Sequence, residues 1–245
     1  MSLTQRAMIF AAGEGRRMLP LTAQTPKPLL PLGDSHLIGQ NLRHLAAAGV
    51  REVIVNTAYL GAQIQAALGD GSGWGLKIIY SPEPYPLETG GALLHALELL
   101  HSEPFILLNA DVLCAYPLLQ LCRHSLPVGA LGHLILVPNP PQHEQGDFAF
   151  DKKGVITAAA SGPKLTFSGI SLLHPELISH YPNARQVFPL REAFAWAIAE
   201  GRLTAERYDG LWLDVGTPAR LGEAQTLWAE LSEQGALPFP CTQPL

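Results

Sequence analysis

The first half of the chain alternates between short continuous apolar runs and segments with an apolar residue at every third or fourth position. The apolar runs predict buried strands, and the amphipathic segments between them predict helices. The strands are expected over residues 7–10, 52–56, 76–80 and 105–108, and the helices over 37–48, 60–68 and 89–100. Because strands and helices alternate with short connections, the pattern predicts right-handed βαβ units and an α/β fold.

The second half has a less regular pattern. Strands are expected over 130–137, 148–151, 155–159, 165–173 and 211–214, and helices over 189–200 and 218–234. Residues 152–154 are expected to form a hairpin turn. No fixed-period repeat and no change of composition marks a linker. We therefore expect one domain over residues 1–237, built on an open, mostly parallel mixed sheet with helices on both faces, and a flexible proline-rich tail over 238–245.

The composition narrows the class of protein. The 245 residues include 16 basic and 21 acidic side chains, a net charge of −5, which argues against a nucleic-acid partner. With 47% hydrophobic residues the chain can bury a large core. Three cysteines without a Cys-x-x-Cys pair favour a reducing cytoplasm over a disulfide framework. No apolar run approaches the ~20 residues of a membrane span. A cytoplasmic protein is expected, and the oligomeric state stays open, a monomer included.

A loop of small and basic residues follows the first predicted strand. Small residues let the backbone approach a ligand and direct N–H groups at phosphates, and the basic side chains add positive charge. The candidate residues are Ala11, Ala12, Gly13, Gly15, Arg17 and Lys27. A structural turn is the alternative. The dinucleotide-binding fingerprint fails because Met18 occupies its third glycine position, and no P-loop motif occurs.

Two aspartates, Asp111 and Asp214, each follow an apolar strand. In open α/β sheets ligands bind outside the carboxyl ends of the strands, and Mg²⁺ prefers oxygen ligands together with substrate phosphates. The pair, together with the basic loop, predicts a magnesium–phosphate site. The alternative is that Asp111 caps a helix and Asp214 caps a turn.

Several spaced motifs together resemble the signature of the sugar-1-phosphate nucleotidyltransferases. The loop is followed by Pro20, Leu21 and Thr22, and then by Pro26, Lys27 and Pro28. Four further motifs follow in the family's order, over residues 87–92, 109–111, 167–170 and 212–217. The resemblance covers nearly the whole chain and implies a Rossmann-like nucleotide-diphospho-sugar transferase fold.

The resemblance also implies a role for each matching residue. Ala11, Ala12 and Gly13 would hold the nucleoside, and Gly91 would approach the base. Arg17 would grip the β- and γ-phosphates, and Lys27 would steady the phosphates during transfer. The metal ligands would be Asp111 and Asp214. The sugar half of the site would be lined by Glu88, Asn109, Asp147, Ser168 and Gly169, although Asp147 is also a plausible loop carboxylate.

Two local patterns narrow the resemblance within the family. They are Glu88-Thr89-Gly90-Gly91 and His143-x-x-Gly146-Asp147-Phe148. Both resemble the branch that transfers a uridylyl group from UTP to N-acetylmuramate 1-phosphate in bacterial cell-wall recycling. One departure is that the Glu-Lys-Pro step of many relatives is missing. Lys164 either substitutes for its lysine or is simply solvated.

The implied reaction is an attack of the sugar phosphate on the α-phosphorus of UTP, which expels pyrophosphate. UTP brings a charge of about −4 and the sugar phosphate about −2, so two Mg²⁺ ions with Arg17 and Lys27 would balance the total. The lactyl carboxylate of N-acetylmuramate needs a further cation or a cluster of N–H donors. Lys164, Arg185, Arg191 and Arg207 are the candidates, and the sequence does not rank them.

Two alternatives compete with this interpretation. One is a hexose-1-phosphate transferase that uses GTP or dTTP with mannose or glucose 1-phosphate. The other, from a different class, is a catalytically silent homologue that binds sugar nucleotides as a regulator. The presence of all four charged residues of the predicted site argues against the silent homologue.

Overall fold

The computed structural model describes residues 3–157 and 162–237. The strands are β1 Arg6–Phe10, β2 Pro31–Leu32, β3 Ser35–His36, β4 Glu52–Thr57, β5 Lys77–Pro82, β6 Phe105–Asn109, β7 Val112–Cys114, β8 Gly132–Val137, β9 Thr166–Leu173, β10 Leu203–Arg207 and β11 Trp212–Asp214. The helices are α1 Leu37–Ala47, α2 Gly61–Leu68, α3 Glu88–His95, α4 Leu97–Leu100, α5 Leu118–Arg123, α6 Glu176–Ser179, α7 Leu190–Ala199 and α8 Pro218–Glu233.

Seven strands form one sheet in the order β10-β8-β9-β6-β1-β4-β5. The pairs on both sides of β1 are parallel, and so are β4–β5 and β8–β10. Strand β9 is antiparallel to both of its neighbours, β6 and β8. The predicted open, mostly parallel mixed sheet is confirmed.

The central strands are apolar on both sides because helices cover both faces of the sheet. Along β1, Ala7 and Ile9 join the cluster beneath α1, α2 and α5, while Met8 joins the cluster beneath α3, α6 and α7. This alternation follows from the twofold repeat of side-chain direction in a strand. The continuous apolar runs of the sequence therefore correspond to the doubly covered strands.

A third, smaller core anchors the basic loop. Met18, fully buried within that loop, packs with Leu113 of β7, with Val215 just after β11 and with Trp228 of α8. This cluster ties the loop after β1 to the C-terminal part of the chain. The loop is therefore part of the packed structure, which limits the positions available to its charged side chains.

Several predicted elements differ from the structure. The strands expected over 148–151 and 155–159 are wrong. Phe148, Phe150 and Val155 make isolated bridges to three different partners, so no ladder builds up. Residues 158 and 159 lie outside the described chain, as does the tail over 238–245. The turn at 152–154 is confirmed by a hydrogen bond from Gly154 N to the Asp151 carbonyl of 2.9 Å.

One predicted helix is divided in the structure, and several short elements were not predicted. The helix expected over 89–100 is divided at Ala96 into α3 and α4. The short strands β2, β3 and β7, the strand β10 and the helices α5 and α6 were missed. Most of them are too short to show a period. Among residues 3–157 and 162–237, every helix is too short or too polar to span a lipid bilayer.

Candidate active site

The largest group of predicted site residues lines one cavity of about 450 Å³ at the carboxyl ends of the central strands. Such a volume lies within the usual range for a small-molecule site. The predicted residues that line it are Ala11, Ala12, Gly13, Gly15, Arg17, Lys27, Glu88, Asn109 and Asp111. The sheet brings them together because β1 and β6 are adjacent and parallel, so the segments that follow both strands meet at one edge.

The loop after β1 is shaped by two glycines with different roles. Gly15 has a left-handed backbone with φ +63°, and a Cβ there would lie 3.0 Å from Thr22 and 3.1 Å from Lys27. Thr22 Oγ1 donates a hydrogen bond of 2.9 Å to the Gly15 carbonyl. A Cβ on Gly13 would meet no protein atom within 4 Å. Gly15 is therefore required by the fold of the loop, whereas Gly13 leaves open space where a ligand can approach.

The three cations of the loop are in different electrostatic states. Lys27 forms an ion pair with Asp111. Arg16 donates to Glu14 and holds the pKa of that carboxyl below its usual range. Arg17 has no hydrogen bond or ion pair within residues 3–157 and 162–237, and its guanidinium lies close to Gly216. Arg17 therefore presents an uncompensated positive charge to the cavity, which suits an anionic ligand.

The two-stranded ladder of β7 and β11 places the backbone of Asp214 next to that of Asp111. Asp214 pairs with Val112, and Val215 N donates to the Asp111 carbonyl at 2.8 Å. Arg220 forms an ion pair with the Asp214 carboxylate, which also accepts a hydrogen bond of 3.0 Å from Gln142. Asp214 is not among the described residues that line the cavity, but its neighbour Gly216 is.

The two carboxylates fit a cation that arrives with phosphates. Mg²⁺ is commonly bound by one or two carboxylates together with substrate oxygens, and Asp111 and Asp214 supply such a set. In the part of the chain that is described, no group of three or more His, Cys, Asp or Glu side chains could hold a metal ion. The donor set therefore suits a metal shared with a substrate better than one held by protein ligands alone.

The remaining predicted residues stand outside the described lining of the cavity. Gly91 is buried in α3, where a Cβ would lie 2.2 Å from the Gln186 carbonyl oxygen, so its glycine is explained by packing. Ser168 is buried, and its Oγ accepts from Ile170 N at 3.1 Å. Gly169 packs against the Asn109 side chain.

Asp147 also lies apart from the cavity and has partners of its own. Its carboxylate accepts a hydrogen bond of 2.8 Å from Phe167 N and lies 3.0 Å from His143 Nε2. These contacts order the loop before β9. Sugar contact by Asp147, Ser168 and Gly169 therefore stays a prediction, as does the approach of Gly91 to the base.

A buried chain of hydrogen bonds, which the sequence analysis missed, supports the loop after β1, called the nucleotide loop below. Ala11 N donates to Asn56 Oδ1 at 2.8 Å, and Asn56 Nδ2 donates to Glu83 Oε1 at 2.6 Å. The other Glu83 oxygen accepts from Leu87 N at 3.0 Å. Asn56 and Glu83 lie at the carboxyl ends of β4 and β5, so the signal that identified Asp111 could have found them. No comparable sequence signal marks Arg220.

Comparison with known proteins agrees with this geometry. The Nucleotidyl transferase family matches residues 6–230. N-acetylmuramate alpha-1-phosphate uridylyltransferase of Neisseria meningitidis serogroup B is 43% identical over 91% of this chain and 97% of its own length. The catalytic subunit beta of mannose-1-phosphate guanylyltransferase of Drosophila melanogaster is 30% identical over 87% of this chain, which spans 60% of that relative.

The fold has a similar match among solved structures. A putative glucose-1-phosphate thymidylyltransferase from Bacillus anthracis aligns with a TM-score of 0.78 at 20% identity, over 91% of this chain and 94% of that one. Because the identity is low, this likeness concerns the architecture of the sheet and helices. The family match extends over more than half of the chain, and the chain belongs to the Nucleotidyl transferase family.

Proposed function

We propose that the protein transfers a uridylyl group from UTP to N-acetylmuramate 1-phosphate, giving UDP-N-acetylmuramate and pyrophosphate. The observation that carries the proposal is that Arg17, Lys27 and Asp111 line one cavity at the carboxyl ends of the strands. The choice of UTP and of the acceptor is supported by the relative that is 43% identical over nearly its full length.

The nucleotide half of the site would be formed by the loop after β1. Backbone N–H groups around Ala11, Ala12 and Gly13 would approach the nucleoside and its phosphates, with Gly15 setting the course of the loop. Arg17 would pair with the β- and γ-phosphates, because its charge is uncompensated in the described chain. Gly91 would act indirectly, by letting α3 pack closely enough to bring Thr89 to the cavity.

The reaction needs charge neutralisation more than it needs a base. A phosphate monoester has its second pKa at about 6 and is ionised near neutral pH. One of its oxygens attacks the α-phosphorus of UTP in line. The new P–O bond forms as the bond to the β-phosphate oxygen breaks, and pyrophosphate leaves with that electron pair. Lys27 would stabilise the charge that develops on the phosphates, and the cavity would hold the reactants in line.

Asp111 and Asp214 would hold Mg²⁺. When bound, the ion would supply positive charge to phosphate oxygens and help to orient them. Lys27 forms an ion pair with Asp111, and Arg220 forms one with Asp214, so both carboxylates are held in place. The two proposed metal ligands thus each have a cationic partner within the protein.

The sugar half would lie beside Glu88 and Asn109, which line the cavity. Asp147, Ser168 and Gly169 would shape this half, with Gly169 placing the Asn109 side chain. We further propose that residues 1–237 act as one nucleotidyltransferase domain in cytoplasmic cell-wall recycling.

A substrate panel tests the proposal. UTP, GTP and dTTP would each be combined with N-acetylmuramate, N-acetylglucosamine, glucose and mannose 1-phosphates in the presence of Mg²⁺, and pyrophosphate release would be measured. The highest kcat/KM is expected for UTP with N-acetylmuramate 1-phosphate. The Asp111→Asn variant is expected to lose turnover while keeping its melting temperature. Asp70→Asn, on an exposed loop, is the matched control.

Other outcomes identify the alternatives. A preference for GTP with mannose 1-phosphate would favour the hexose-1-phosphate alternative, the activity for which the Drosophila relative is named. Binding of nucleotides without pyrophosphate release for any acceptor would favour a regulator. Normal turnover by Asp111→Asn would remove this carboxylate from the metal site.

A further inference from the structure

A second depression, of about 670 Å³, adjoins the cavity and is called the side pocket here. Glu88 and Thr89 line both spaces, so the two meet at the start of α3. The opposite side is formed by Arg185, Val187, Arg191 and Glu192. None of these four residues was assigned to the nucleotide or the metal. The side pocket therefore extends the site on the side of Glu88.

Hydrogen bonds to α3 hold the segment that forms one side of the side pocket. The Phe188 carbonyl accepts hydrogen bonds of 2.8 Å from Gly90 N and 3.1 Å from Gly91 N. Leu190 N donates to Thr89 Oγ1 at 2.8 Å. These contacts fix the segment before α7 to the first turn of α3. Side chains on this segment therefore hold defined positions relative to the cavity.

The two arginines of the side pocket differ in availability. Arg185 donates to both carboxylate oxygens of Glu192, at 2.7 and 2.9 Å, and its guanidinium lies 5.6 Å from the Phe188 ring centre. A bidentate pair of this kind is among the stronger ionic contacts, so an incoming anion would have to displace Glu192. Arg191 is exposed and makes no hydrogen bond or ion pair with any residue that the structure describes.

The other two candidates for binding the lactyl carboxylate, Arg207 and Lys164, are less suitably placed than Arg191. Arg207 is paired with Asp209, at 2.6 Å. Neither Arg207 nor Lys164 lines the cavity or the side pocket within the described residues. The Arg185 hydrogen bond is the main cause that lowers the pKa of Glu192, and Arg191 contributes only through space. Arg191 is thus the candidate that has no direct ionic contact in the described residues and lines the space next to the cavity.

We propose that the side pocket receives the carboxylate-bearing substituent of the sugar phosphate and that Arg191 binds this carboxylate. Arg191 is then a specificity-determining residue that favours an acidic sugar phosphate over a neutral one. This inference rests on the proposed function, since it names the contact that the lactyl group would make. Glu88 lines both spaces, and its carboxylate would repel the lactyl carboxylate of the substrate. Glu88 would therefore accept a hydrogen bond from a hydroxyl or amide group of the sugar instead.

A pair of acceptors isolates the contact. N-acetylmuramate 1-phosphate and N-acetylglucosamine 1-phosphate share the ring and differ in the lactyl group. For Arg191→Ala with UTP, kcat/KM for the acidic acceptor is expected to fall about 10- to 100-fold, the loss of one charge-assisted contact. The value for the neutral acceptor is expected to change by less than about twofold. Arg191→Glu is expected to lower the acidic value further. Arg123→Ala, an exposed arginine on α5, is the control.

The outcomes separate the two proposals. A wild-type preference for the acidic acceptor that Arg191→Ala leaves unchanged overturns the role of Arg191 and leaves the proposed function standing. An equal loss for both acceptors overturns it as well, because the residue would then act on a shared part of the substrates. A wild-type enzyme that does not use the acidic acceptor overturns the proposed function, and the assignment of Arg191 with it.

Discussion

Asn56 and Glu83 form a buried hydrogen bond of 2.6 Å between the carboxyl ends of two adjacent parallel strands. The bond links the nucleotide loop, through Ala11 N, to the start of α3, through Leu87 N. Both side chains are less than 10% exposed. Because an unsatisfied buried polar group is costly, this pair holds two sides of the cavity at a fixed separation.

Replacement of Asn56 by alanine should loosen both the nucleotide loop and the start of α3. Ala11 N would lose its acceptor and Glu83 one of its donors, so the free energy of unfolding is expected to fall by about 1–3 kcal/mol. The KM for UTP should rise in parallel, because the loop would no longer be held. Urea denaturation and initial rates measure the two effects, with exposed Asn183→Ala as the control. An unchanged KM with reduced stability would show that the pair serves only the fold.

Lys27→Ala should depress kcat by about 100- to 1,000-fold, the cost of removing one positioned charge from a phosphoryl-transfer site. Its effect on stability should be small, since Asp111 is partly exposed and water can replace the lysine. Steady-state rates at saturating Mg²⁺ and thermal melting would be compared with Lys77→Ala. Lys77 is also paired with a carboxylate, Glu52, but lies away from the cavity. Wild-type kcat in Lys27→Ala would refute the role of this lysine.

Alanine at Gly13 and at Gly15 should have opposite consequences. Gly13→Ala meets no protein atom and should keep the melting temperature, while UTP binding weakens because the methyl group occupies the space of the ligand. Gly15→Ala forces a side chain into a left-handed conformation against Thr22 and Lys27, at a cost of about 1–2 kcal/mol. Calorimetry for UTP binding and thermal melting distinguish the two. Normal UTP affinity in Gly13→Ala would contradict the predicted approach of the ligand.

Glu88→Gly should weaken binding of the sugar phosphate without lowering the stability of the protein. Glu88 has φ +60°, a conformation that favours glycine, so the substitution should leave stability unchanged or raise it by up to about 1 kcal/mol. Loss of the carboxylate should raise the KM for the sugar phosphate and leave that for UTP nearly constant. Glu98→Gly, at an ordinary helical position of α4, should instead destabilise the protein. A Glu88→Gly enzyme with normal KM values would exclude contact between Glu88 and the sugar.

Stability should fall in mild acid because of His44. Burial in α1 lowers the pKa of this histidine to about 4, below its ordinary value of 6.5. The folded state therefore resists protonation, so the contribution is fully present above pH 6.5 and is lost as the pH falls from 6.5 towards 4. The loss amounts to roughly 3 kcal/mol at the lower end. His44→Gln should flatten this part of the profile, and His180→Gln, on the surface, should not. Identical slopes in both variants would assign the acid sensitivity to other groups.

The hydrophobic pattern was sufficient for the central architecture. Apolar runs identified β1, β4, β5 and β6, because a strand covered on both faces has no polar side to interrupt it. Residues at the carboxyl ends of these strands, Asp111 among them, could be placed at one edge before any coordinates. Local pattern failed where strands are short or paired irregularly, as around Phe148 and Val155.

The sequence by itself determined the parallel direction of the early strands, the basic loop and the set of residues that resembles a nucleotidyltransferase. Only the tertiary structure decided which charges are compensated. Arg220 pairs with Asp214, Arg185 with Glu192, and Arg17 and Arg191 stay without a described ionic partner. The physical reason is that strand periodicity is a local property of the chain, whereas ion pairing depends on distances of a few ångströms between segments that only folding brings together.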